Sequence, residues 1–300
     1  MKNSQFPEIP LEAWRPTKNT LHLYCQIVGK IRLGMHPHLN HWWHVPLYVT
    51  PRGLSTHTIP FKSGNFEIEL DLCQHRLVIK TNTGRQEDFG LYDGLTVADF
   101  YSSVLANLAK LGIEPKIKPI PYEAPSTTPF PEDIENKSYD KEYIERAHQT
   151  LVIVDGILNE FRGRFLGKST PVHMFWHSFD LALTRFSGKR APVREGANRV
   201  EREAYSHEVI SFGFWFGDDR VPDPAFYSYT APEPEGLAAE PLAPASAQWA
   251  ESNGGHLALL MYRDVRTAED PHGRIVEFLE SAYQAGAKRA GWSISEFSAY

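Results

Sequence analysis

Cysteine is scarce: the 300-residue chain has two, Cys25 and Cys73. Two thiols make neither a disulfide scaffold nor a cysteine ligand set for zinc, so a reduced, cytoplasmic protein is expected. Long apolar runs are missing too. LALLMY at 257–262 is among the most apolar stretches, far short of the roughly 20 residues a membrane helix needs. The first twenty residues hold no apolar core of a secretory signal, so none is expected. No run of Lys or Arg occurs, and 37 acidic residues against 31 basic ones leave a net charge of −6. Nucleic acid and anionic membranes, which call for a basic stripe, are therefore excluded as partners. No Gly-rich loop opens a helix to cradle phosphate, LVIVDG at 151–156 lacks the glycines of a dinucleotide site, and no GxSxG elbow exists. What remains is a globular chain, 42% hydrophobic and 12% aromatic, whose expected partner is a small-molecule ligand or substrate.

Two proline-rich stretches punctuate it, Pro115 to Pro131 and Pro222 to Pro244. Proline neither continues a helix nor donates to a sheet, so the first reads as a connector and the second as a surface excursion. The connector at 115–138 divides a first half, 1–114, from a second, 139–300. In the first half, residues 20–33 carry Leu23, Ile27 and Ile31 on one helical stripe. Strand-like runs follow at 44–50, 65–72 and 75–81. The middle run alternates, with Phe66, Ile68, Leu70 and Leu72 opposite Glu67, Glu69 and Asp71, as a half-buried antiparallel strand does. Asp71 to His75 reads as the hairpin turn. Residues 97–113 form an amphipathic helix with Thr96 as N-cap and Gly112 near its end. The second half repeats the order: a helix over 139–166, strands at 172–185, 205–216, 225–230 and 256–262, and a helix over 273–292. The expected fold is α+β, two pseudo-repeated halves of helix, antiparallel strands and helix packed as one compact body. A shift of 133 residues lays Leu33, Gly34, Trp43, His44 and Arg52 on Leu166, Gly167, Trp176, His177 and Arg185. Duplication and chance aromatic bias both account for that match.

Three clusters could carry chemistry. In NHWWHVPLY, His41 and His44 either ligate a metal or pin the neighbouring Trp43 and backbone. In the run from His173 to Arg190, Asp180 and Arg185 interrupt apolar sequence, and buried charges must be paired or coordinated. They are expected to be buried, either braced against each other or, for Arg185 with Lys189 and Arg190, clamping an anion. His173 and His177 stand four apart, a metal-binding spacing on a helix, although no glutamate completes a zinc-protease motif. In REAYSHEVISFGFW, Tyr205 and His207 share one strand face and Glu208 the other, so His207 and Glu208 cannot reach one substrate from a flat strand without a bulge. Tyr227 and Tyr229 add phenols on one strand face.

The strings WRPTKNTLHLYCQIVGKIRL, NHWWHVPLYVTPRGL, FLGKSTPVHMFWHSFDLALTRFSGKRAP, YSHEVISFGFW and PAFYSYTAPEP resemble a bacterial family of uncharacterised proteins, defined as a domain of unknown function over the whole chain. The resemblance implies that His41, His44, His173, Asp180, Arg185, Ser187, Tyr205, His207 and Glu208 belong to family motifs. His177 departs from the pattern, which puts the paired-histidine metal reading in doubt.

The leading expectation is an enzyme with an aromatic-lined pocket between the halves. Trp43, Trp176, Trp215, Arg185 and Arg190 would bind the ligand, Tyr205, His207 and Glu208 would do acid–base work, and His41, His44, His173 and Asp180 would hold a metal. Such a donor set favours zinc or non-haem iron. The alternative is a non-catalytic protein binding a small ligand whose anionic end an arginine holds.

Overall fold

The computed structural model describes residues 6–62, 64–124, 126–252 and 254–299. Helix α1 (Leu11–Met35) opens the chain, starting ahead of the expected 20–33 stripe and carrying Pro16 within it. A single 3-10 turn at Asn40–Trp42 follows, then strands β1 (Tyr48–Thr50), β2 (Gly53–Ser55), β3 (Ile59–Phe61), β4 (Gly64–Asp71), β5 (Arg76–Thr81) and β6 (Gln86–Gly90), and helix α2 (Val97–Lys110). The Thr96 hydroxyl caps α2 by accepting from the Asp99 N–H, as the sequence predicts. The second half runs through α3 (Lys141–Gly163), β7 (His173–Phe175), β8 (Asp180–Arg190), α4 (Arg199–Ala204), β9 (His207–Trp215), β10 (Ala225–Ala231), β11 (Gln248–Ser252), β12 (Gly255–Met261), α5 (Tyr262–Val265), α6 (Pro271–Arg289) and α7 (Ile294–Phe297).

The fold is α+β in two halves of like plan. One antiparallel sheet is ordered β1-β2-β4-β5-β6, with β3 beside β4; the other is ordered β11-β12-β10-β9-β8-β7. The two meet at edge strands β1 and β7, where Leu47 and Met174 exchange backbone hydrogen bonds of 2.9 and 2.7 Å. In β4, Phe66, Ile68 and Leu70 point into the core. The acidic face is paired instead of bare: Glu69 accepts from Thr50 and Lys80, and Asp71 from Arg52.

The residue match at a shift of 133 does not survive. Trp43 and His44 lead into edge strand β1, whereas Trp176 and His177 occupy the turn between β7 and β8. Arg52 sits in the β1–β2 turn, while Arg185 lies within β8 opposite Ile210. Each half has a six-stranded antiparallel sheet, but those side chains are not equivalent.

That turn at 176–179 also corrects the single strand expected over 172–185. It contains neither Gly nor Pro, and Phe179 adopts a left-handed φ of 57° to close it, a conformation a bulky residue rarely takes. It reverses the chain, so Trp176 lies on the helix side, against Gly29 of α1, while Asp180 points outward. On β8, Leu181, Leu183 and Arg185 face α3 and α6; Asp180, Ala182 and Thr184 face away.

Candidate functional site

Residues from three elements converge where the 3-10 turn, α4 and the β8–β9 ladder meet. His41 and Trp42 are successive non-glycine residues with φ of 57° and 61°. Left-handed backbone costs on the order of 1–3 kcal/mol per residue and persists where the surroundings impose it, often at functional positions. The turn buries His41 against the end of α4, a helix begun by a capping box between Asn198 and Glu201. The Glu203 carbonyl there accepts from His41 Nδ1 at 3.1 Å and from the Ser206 hydroxyl at 2.8 Å. Those bonds assign the tautomers. His41 carries its proton on Nδ1 and turns the Nε2 lone pair to Lys168 Nζ, 3.4 Å away. The Ser206 hydroxyl, having donated to Glu203, accepts from His207 Nδ1 at 3.1 Å. His207 Nε2 is thereby left as an acceptor.

Lys168 lies over the Trp43 and Phe186 rings, 5.1 and 5.2 Å from their centroids, a favourable place for an ammonium. The His207 ring is 5.4 Å from that of His41, and Arg190 stands opposite His207 across the ladder. Among the described residues, no carboxylate pairs with His41, Lys168, Arg190 or His207; the Glu203 carboxylate turns to His38 at 2.7 Å. Burial holds the His41 imidazolium below its ordinary pKa, and the Lys168 charge adds to that. Burial also lowers His207, helped by Arg190 and Lys168. Both imidazoles are therefore neutral at pH 7.

A second group lies on the outward face of the second sheet. The Asp180 carboxylate accepts from the Ser178 and Tyr227 hydroxyls. Tyr227 reaches it by lying flat across β9 at Gly213, where a Cβ would strike both its ring and the Leu181 carbonyl. Tyr229 stacks on Tyr227 at 6.2 Å and 11° and meets the Tyr205 hydroxyl at 3.1 Å. Trp215, opposite Asp180 in the ladder, holds a ring 5.8 Å from Tyr227, and its buried Nε1 has no partner. His173, opposite Ala182 on the same face, is fully buried with both ring nitrogens unpartnered. Burial, with Arg32 nearby, lowers its pKa to about 3.

Several sequence-based expectations are corrected. Asp180 and Arg185 are both buried, but an odd spacing along one strand puts them on opposite faces, so they do not brace each other. Arg185 donates to the Phe161 carbonyl and lies among aromatic rings, 3.6 Å from the Phe161 centroid and 4.5 Å from that of Tyr283. Burial lowers its pKa to about 10. It holds the sheet to α3 and α6 and is closed to an anionic ligand. Glu208 faces away from His207 and accepts from Ser187 and Trp292 at 2.8 and 3.1 Å. Trp176 donates to the Val45 carbonyl at 2.9 Å inside the core. His44 accepts from the Leu39 N–H at 3.2 Å and faces His38. The four residues expected to share a metal are thus divided: His41 beside His207, His44 beside His38, His173 in the sheet seam, Asp180 among hydroxyls. Among the described residues, no three His, Cys, Asp or Glu side chains converge in a metal-holding group.

Lys168, Phe186 and the Glu203 carbonyl were missed by sequence reasoning. Lys168 is a lone lysine in a stretch that runs beside β8, and a backbone carbonyl leaves no trace in side-chain patterns. Two surface hollows lie elsewhere. One is at the β11–β12 hairpin, where His256 is paired with Glu233 at 2.6 Å; the other is beside Glu240, which Lys288 and Arg289 neutralise. Among the described residues, no helix is long and apolar enough to cross a membrane.

The chain belongs to a family of unknown function, DUF5996, whose model matches residues 6–299. No curated protein and no solved structure matches it.

Proposed function

We propose that this protein binds a small organic anion, a carboxylate or phosphate ester, between the Asn40–Trp42 turn and the β8–β9 ladder. One observation carries the reading: the cations Lys168 and Arg190 stand at the neutral imidazoles of His41 and His207 with no carboxylate to balance them. Clustered positive charge costs stability unless an anion completes it, and it raises the local concentration of anions. Trp43 and Phe186 would flank the apolar body of the ligand while Lys168 and Arg190 hold its charge. Phenyl phosphate and benzoate are suitable probes, read by calorimetry and by Trp43 fluorescence. Saturable binding should weaken at least tenfold in Lys168→Ala and in Arg190→Ala, and should fall with salt. Probes that fail to bind at 10 mM, or that bind both variants like the wild type, would defeat it.

His207 favours an enzymatic extension. Its Nδ1 is fixed by Ser206 and its neutral Nε2 is free to take a proton from the bound ligand, the arrangement a general base requires. His207→Gln should then retain probe binding while abolishing turnover of whatever substrate is found. A cytoplasmic setting agrees with both cysteines being free thiols.

A further inference from the structure

The outward face around Asp180 has the opposite chemistry. Asp180 is only 8% exposed, and among the described residues no Lys, Arg or His side chain pairs with its carboxylate. Two hydroxyl donors fill lone pairs but do not neutralise a charge, and a buried carboxylate normally has a cationic partner. Its surroundings are aromatic. Trp215, directly across the ladder, and Tyr227, whose hydroxyl touches the carboxylate, set their rings at 63° to each other, forming a corner beside Asp180. Both residues are half-buried. Two further polar groups on this face lack partners: the buried Trp215 Nε1 and the fully buried His173.

We infer that this corner binds a small organic ammonium ion, its positive head set between the Trp215 and Tyr227 rings against Asp180. A ring face attracts a cation, and a desolvated carboxylate supplies the counter-charge the cation needs. The site is separate from the anion cluster: Asp180 and Phe186 are six residues apart on β8, about 20 Å at ~3.3 Å per residue.

Choline and its uncharged isostere 3,3-dimethylbutan-1-ol test the assignment on the full chain, by calorimetry and tryptophan fluorescence. Choline should bind saturably and at least tenfold more tightly than the isostere. Asp180→Asn should weaken choline at least tenfold, whereas Tyr227→Phe, which keeps the ring and frees the carboxylate, should change it by less than threefold. Lys168→Ala should leave choline binding unchanged, which separates this site from the anion site. Equal affinity for the two probes, no choline binding at 50 mM, or wild-type affinity in Asp180→Asn would each overturn the inference. The wild-type comparison of the two probes decides the matter even if Asp180→Asn misfolds.

Discussion

Acid should unfold this protein through two buried neutral histidines. His22 and His173 both have pKa values lowered to about 3, in each case chiefly by burial. Unfolded, each titrates near 6.5, so between pH 6.5 and 3 the unfolded chain binds more protons than the native one. Stability is then full above pH 6.5 and is lost as pH falls toward 3. At pH 4.5, two units below the unfolded value, each histidine removes about 2.7 kcal/mol, at ~1.36 kcal/mol per unit. The pair removes about 5 kcal/mol, comparable with the whole stability of many domains. The figure at pH 4.5 barely depends on the native value, since the native imidazole is unprotonated there in any case. His173 gives the cleaner test. Neither of its ring nitrogens has a partner, so His173→Leu breaks no hydrogen bond and should cost little at pH 7. Urea unfolding at pH 7 and at pH 4.5 should show the variant losing about 2.7 kcal/mol less than the wild type between the two. An unchanged difference would mean that His173 is protonated in the native state or solvated, and the burial argument would fail.

Two other substitutions probe the second sheet. Arg185→Ala should destabilise by about 3–5 kcal/mol in urea, because it empties a core position walled by Phe161, Phe165, Phe212 and Tyr283; Arg185→Met, which keeps the bulk, should cost about 2 kcal/mol, the worth of the desolvated cation–π contacts. Gly213→Ala forces a methyl into the Leu181 carbonyl and the Tyr227 ring and should cost about 1–3 kcal/mol by equilibrium unfolding, whereas a change within 0.5 kcal/mol would mean that Tyr227 does not lie across β9.

The parts of this fold legible in sequence are those set by local periodicity. The alternation of Phe66, Ile68 and Leu70 yields strand β4 with the predicted face inward, and Thr96 caps α2 as its position implies. Legibility stops where the chain turns without a turn residue. FWHSFD contains no glycine or proline, so the reversal at 176–179 has no local mark, and missing it carries Trp176 from the core into a supposed pocket. The same limit holds at the site. His41 and His207 stand out as histidines in aromatic sequence, but what fixes them is the carbonyl of Glu203 and the hydroxyl of Ser206. Tertiary structure alone brings those groups together.

The β8–β9 ladder shows how the fold assembles the basic cluster. From Asp180 to Phe186 the pairing is regular, ending at Phe186 opposite Val209. Continued unbroken, that register would set Gly188 opposite His207, and the histidine would face no side chain. The ladder instead shifts between Phe186 and Arg190, with Gly188 at φ +86°, a backbone that glycine adopts without strain. The irregularity replaces the glycine with Arg190 beside His207. Bulges re-aim side chains next to functional sites, and this one adds a positive charge to a place that already holds Lys168 and His41 without an acid. Arg190 is exposed there, so under the proposed function it stands open to an anion arriving from solvent.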